Sequence, residues 1–142
     1  MSDFSCYITI DNTQNKYPLT LGNSYAESGY WDPEPPQVVE PGTCINFRVH
    51  DPSGPNGSQG SCTYTTGVNQ EFSISLNVTD PYSGDNFFNV NVGGTGPFQV
   101  TSCGLTGNCV TGNNPPDWQG AEQGSVPSSG HPVSCLVTVQ SL

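Results

Sequence analysis

Apolar and polar side chains alternate with a period of two along much of this chain, most clearly over residues 71–92. Phe72, Ile74, Leu76 and Val78 alternate with Ser73, Ser75, Asn77 and Thr79, which is a strand with one face on a core and one in water. Asp80-Pro81-Tyr82-Ser83-Gly84-Asp85 follows, supplying the residue types that end strands and build turns. Phe88, Val90 and Val92 then alternate with Phe87, Asn89 and Asn91. A hairpin is predicted, its return strand carrying Phe and Asn on the outer side instead of charge.

The same reading predicts strands at Cys6–Ile10, Tyr17–Leu21, Val38–Val39, Ile45–Val49, Cys62–Tyr64, Phe98–Val100 and Cys135–Val139. In the fourth of these, Cys44, Asn46, Arg48 and His50 are expected to face out. Residues 23–36 read as a polar and aromatic loop, residues 51–60 as a long Pro/Gly/Ser loop, and residues 108–131 as a meandering or functional loop. No window carries a helical apolar stripe, and no internal repeat is present. Two half-apolar sheets that bury one another satisfy this pattern, so the expected fold is all-β, an antiparallel β-sandwich with long polar loops; a barrel is the alternative.

At 142 residues and 15.0 kDa, residues 1–142 are expected to form one domain, long enough to bury a core without staples. Lys16 and Arg48 are the only cations against 12 acidic residues, a net charge of −10. That balance excludes nucleic acid as a partner and disfavours electrostatic adsorption to anionic lipid. The surface must be covered by Ser, Thr, Asn, Gln and Gly, which suits neutral glycans or zwitterionic head groups. No apolar run reaches a membrane-spanning length, and the first residues carry no signal-peptide pattern. Cytoplasmic synthesis is therefore the expectation, with any release by a non-classical route.

Six cysteines in a small chain allow three disulfides in fifteen pairings. Cys6, Cys62 and Cys135 share strand phase with core residues and are expected to be reduced, whereas Cys103 and Cys109 flank a short Gly-containing loop that a disulfide would close. Metal is not expected, because no Cys-x-x-Cys spacing occurs and the two histidines are isolated. No cofactor motif is present.

Asp80, Pro81, Tyr82, Asp85 and Asn86 form the first candidate binding site. A carboxylate and an amide beside an aromatic face suit a sugar, and electron-rich faces suit a cationic head group. The alternative is a structural turn in which Asp and Asn cap their own backbone. Tyr25, Tyr30, Trp31 and Trp118 form a second group on long loops, with packing beneath the loop as the competing role, especially for Trp31. Catalysis has little support. His50-Asp51 has no nucleophile at fixed spacing, His131 reads as the end of a loop, and no Gly-x-Ser-x-Gly elbow occurs. The Asp80/Asp85 pair leaves glycoside hydrolysis as a remote reading. Two sequons, at Asn56 and Asn77, read as chance.

Ile10-Asp11-Asn12 closing the first strand, Val78-Thr79-Asp80-Pro81-Tyr82 followed by Asn86-Phe87-Phe88-Asn89-Val90, and Ser128-Ser129-Gly130-His131 before the last strand together carry a distant resemblance. The chain resembles the actinoporin-like β-sandwich group: sea-anemone cytolysins, fungal fruiting-body lectins and, less closely, aegerolysins. The resemblance implies a sandwich whose 78–90 hairpin faces a membrane or ligand. Departures limit what carries over. The actinoporin N-terminal amphipathic helix, basic face and clustered tyrosines have no counterpart, and Phe replaces the Trp pair. Pore formation by this chain alone is not expected; a head-group or sugar pocket is.

The sequence thus leads to a non-enzymatic, lectin-like protein binding a neutral, mannose-type glycan through loops at one end of the sandwich. The alternative is a binder of sphingolipid-like head groups or a cytolysin component. A homo-oligomer is compatible with either.

Overall fold

The computed structural model describes residues 3–104 and 131–142, with only the backbone of residues 103 and 104. Among these residues ten strands follow in order: β1 (Cys6–Gln14), β2 (Leu19–Ser28), β3 (Tyr30–Trp31), β4 (Val38–Val39), β5 (Cys44–His50), β6 (Ser58–Thr66), β7 (Phe72–Asp80), β8 (Phe87–Gly94), β9 (Phe98–Gly104) and β10 (Val133–Ser141). They form two five-stranded sheets, ordered β3-β5-β1-β10-β9 and β4-β2-β6-β7-β8. The packed sheets are the expected sandwich. The chain's first and last long strands, β1 and β10, lie side by side and parallel, which makes the first sheet mixed.

Alternation explains the second sheet directly. In β6 and β7 every second residue is buried, and Cys62, Tyr64, Phe72, Ile74, Leu76 and Val78 face Ile8, Ile10, Phe47, Val49, Val137 and Val139 of the first sheet. Each fully buried aliphatic side chain here contributes about 1.5–3 kcal/mol. The outward positions of β6 and β7 are Gln59, Ser61, Thr63 and Thr65, then Ser73, Ser75, Asn77 and Thr79. In β8 the core-facing stripe runs out at the rim: Phe88 and Val90 pack on the core, but Val92 is 55% exposed.

Three strand expectations are corrected. Residues 23–28 are not loop but the second half of β2, paired with β6 through two register shifts. The pattern is not apolar there because β4 covers β2 only at Leu19 and Thr20, leaving the rest as an edge with little to bury. Tyr30-Trp31 is likewise paired, to His50 and Val49 of β5, and β6 begins two residues before the end of the predicted 51–60 loop. Asn46 and Arg48, expected in solvent, are buried on the outer face of the first sheet. Thr9 donates to the Asn46 side chain at 2.7 Å; Arg48 Nε donates to the Asp32 carbonyl at 2.7 Å, and its guanidinium lies 5.5 Å from the Tyr7 ring centre. A polar side chain on the outward phase is excluded from water when such partners are present.

Cys6, Cys62 and Cys135 are buried thiols, as their phase required. Cys44 is disulfide-bonded, a role its phase did not indicate. The proposed Cys103–Cys109 closure and the 108–130 loop with Trp118 lie outside the described residues. No helix among the described residues is long and apolar enough to cross a membrane.

Candidate functional site

A cleft of ≈ 660 Å³ opens where the β5–β6 connection meets the β7–β8 loop and the segment before β1. Its walls are Phe4, Tyr30, His50, the stretch Asp51-Pro52-Ser53-Gly54-Pro55, and Tyr82. Two residues singled out in the sequence, Tyr30 and Tyr82, therefore meet at one cavity although 52 positions separate them. Both rings are exposed.

Each wall has an identifiable support. Tyr30 is the register partner of His50 in the β3–β5 pair, and the two rings stack at 5.1 Å with an interplanar angle of 6°. Gly29 makes the preceding turn at φ 90°, where a Cβ would lie 2.2 Å from the His50 carbonyl oxygen, so only glycine brings Tyr30 this close to β5. The Asp51 end of the connection is tied to the N-terminal segment. Ser5 Oγ donates to Asp51 Oδ1 at 2.9 Å and accepts from the Asp51 backbone N–H at 3.3 Å. Tyr82 packs against Phe4 at 5.4 Å, and the loop backbone that carries it rests directly on Gly57. A Cβ at Gly57 would stand 2.3 Å from the Asp80 carbonyl and 2.6 Å from Tyr82 N.

Behind Phe4 lies a buried pair. Asp80 ends β7 on the core face, 0% exposed, and its Oδ1 is hydrogen-bonded to His131 Nδ1. Its second oxygen, Oδ2, is buried without a hydrogen-bond partner. Burial pushes the Asp80 carboxyl up to about 6, with the His131 contact pulling the other way. The His131 ring packs against Phe4 at 4.1 Å, tilted by 55°, so the pair backs the wall that Phe4 presents to the cleft.

The structure brings only part of the expected site together. Asp80, expected to reach a ligand from a loop, is instead a buried anchor. Asp85 is exposed and Asn86 half-buried, and neither lines the cleft; Pro81 supports the loop behind Tyr82. Trp31 packs inward, edge-on to Phe47 at 5.8 Å and over Gly60, which is the packing role. Phe4 and His50 were missed, the first as a lead-in to a strand and the second because its strand phase pointed to solvent. Among the lining residues His50 and Asp51 are the charged or titratable heteroatom groups apart from the tyrosine hydroxyls, and neither Lys16 nor Arg48 is present. Among the described residues no group of three or more His, Cys, Asp or Glu side chains gathers to hold a metal ion.

No protein-family model and no curated protein matches the chain in sequence. Solved structures share its fold. The lipid binding protein Nakanori superposes with a TM-score of 0.62 at 14% identity, over 96% of this chain and 71% of that one. The RahU protein, solved with a TRIS molecule, gives 0.58 at 10% identity over 97% and 95%. IP-1A from Alcaligenes faecalis gives 0.56 at 12% identity over 99% and 91%. At these identities the likeness is one of fold.

Proposed function

We propose that this chain is a non-enzymatic binding protein that takes the ammonium end of a zwitterionic lipid head group into the Tyr30–Tyr82 cleft. The observation that carries the reading is a cavity walled by Tyr30, Tyr82 and Phe4, with a carboxylate and no Lys or Arg, in a chain of net charge −10. A quaternary ammonium offers no hydrogen-bond donor and is held by electron-rich ring faces, at about 0.5–2 kcal/mol per face. The cavity volume falls in the range of small-molecule sites. The lipid binding of Nakanori, which has this fold, supports a lipid-type ligand.

Sedimentation with vesicles of phosphatidylcholine or sphingomyelin, against vesicles of phosphatidylglycerol alone, tests the reading. Binding to the first two is expected, competed by free phosphocholine and weakened about tenfold by Tyr30→Ala or Tyr82→Ala. Equal binding to the anionic vesicles, or none to any, would sink it. A neutral sugar in the same cleft is the second reading, favoured by the Tyr82 ring sharing the cavity with the Asp51 carboxylate and Ser53 hydroxyl. Competition by free sugars but not by phosphocholine would select it.

A further inference from the structure

A second surface, away from the cleft, has its own chemistry. In the β2-β6-β7-β8 part of the second sheet, register partners share a face, so the outward residues fall into rows across the strands. One row is Tyr25, Ser61, Asn77 and Asn89; the next is Asn23, Thr63, Ser75 and Asn91. The flanking rows add Gln59, Thr79 and Phe87 on one side, and Thr20, Thr65 and Ser73 on the other. None of these positions is charged, although the chain has 12 acidic and 2 basic residues; the exposed charge on these four strands is Glu27, at the margin two residues after Tyr25. Solvated sheet faces ordinarily mix in charge for solubility, with roughly a quarter to a third of surface residues ionised. This face instead presents hydroxyls and amides on a lattice of about 4.8 Å between strands and about 6.8 Å along them.

Aromatic rings at the margins of the array point to a ligand. Within it Thr63 and Ser75 bond each other at 3.0 Å, and the Asn77 Oδ1, beneath the surface, has no hydrogen-bond partner. Tyr25 on β2 and Phe87 on β8 stand at opposite sides of the array, 65% and 49% exposed. Three strand spacings, about 15 Å, separate them.

We propose that this outer sheet face is a second binding site, for a neutral polysaccharide chain lying across the strands between Tyr25 and Phe87. The absence of cations disfavours an anionic polymer, which needs them, and the hydrophilic array disfavours a bilayer, which needs an apolar face. A neutral polyhydroxyl chain matches both groups present: its hydroxyls pair with Ser, Thr, Asn and Gln, and its C–H faces stack on the two rings. The site is independent of the cleft reading and stands if that reading fails.

The test is retention of the intact protein on immobilised neutral polysaccharides (cellulose, chitin, β-1,3-glucan and mannan), with carboxylated and sulfated polymers as controls. Retention on at least one neutral polymer, unchanged between 0.05 and 1 M salt, is expected. Tyr25→Ala, at a ring exposed enough to spare the fold, should weaken it about tenfold, and Phe87→Ala similarly. Asn89→Asp, which puts a charge in the array, should weaken it without changing the melting temperature. Retention on none of the neutral polymers overturns the proposal. So does retention that survives Tyr25→Ala and Phe87→Ala, or that Tyr82→Ala alone removes, since the second result places the sugar in the cleft.

Discussion

Replacing Asp80 by Asn should flatten the pH dependence of stability between about pH 4 and 7, and the size of the effect follows from burial. The Asp80 carboxyl is fully buried and its pKa is pushed up to about 6 from 3.8, chiefly because ionisation is penalised away from water. The folded protein therefore holds this proton more tightly than the unfolded chain does. The stabilisation is fully present below about pH 3.8 and is lost as pH rises through about 6. At 1.36 kcal/mol per tenfold change in proton affinity, that is up to about 3 kcal/mol, or roughly 6–12 °C of melting temperature for a chain of this size. Asn keeps an oxygen for His131 but places an amide NH2 where Oδ2 has no partner, at a cost of about 1–3 kcal/mol. The sign at any single pH is thus not diagnostic, whereas the slope is. Melting the parent and Asp80→Asn side by side at half-unit intervals, and taking the difference, removes the contribution of the other acidic residues and leaves that of Asp80 together with its His131 contact. The difference curve should change by several degrees between pH 4 and 7. Parallel curves would show that Asp80 ionises as an ordinary carboxylate and would refute the reasoning.

Gly57→Ala, whose Cβ would collide with the Asp80 carbonyl and Tyr82 N, should displace the loop and weaken phosphatidylcholine-vesicle binding about tenfold, at a cost of roughly 1–3 kcal/mol in stability. A sedimentation isotherm matching the parent would show that the loop position does not govern binding. Trp31→Ala should cost about 3 kcal/mol by opening a cavity beside Phe47, read as a lower denaturation midpoint at unchanged slope. Burial raises the Cys6 and Cys62 thiols, the latter to about 12, so both should resist a thiol reagent at pH 8 in the folded protein and react once it is denatured. Rapid reaction under native conditions would contradict their burial.

The sheets were legible where a strand buries one face and wets the other, as in β6, β7 and β10. They were not legible where edge position or side-chain pairing removed that contrast. The second half of β2 has almost no partner beyond β6, so its sequence is free to be polar. Arg48 and Asn46 are excluded from water by groups at Asp32 and Thr9, 16 and 37 positions away, which strand phase cannot see. The cleft was half legible for the same reason. Tyr30 and Tyr82 stand out as aromatics in polar surroundings. His50 enters only through its stacking on Tyr30, which depends on the β3–β5 register, and Phe4 only through contacts with Tyr82 and His131.

Asp80 differs, because its true position was written in the alternation and was overridden by turn composition. Phe72, Ile74, Leu76 and Val78 are the buried phase of β7, and the next member of that series is Asp80. Carried two residues further, the pattern puts a carboxylate on the core face. A buried carboxylate requires a hydrogen-bonding or charged partner from elsewhere in the chain. The chain holds four side chains of that cationic or imidazole kind: Lys16, Arg48, His50 and His131. Of these, His131 lies two residues before Val133, the start of β10, whose partner β1 begins two residues after Phe4. The parity of one strand and the scarcity of partners thus lead to the pair that backs the cleft wall. The same parity places Asn77, Asn89 and Asn91 on the opposite, solvent-facing side, where an uncharged array remains available for a ligand.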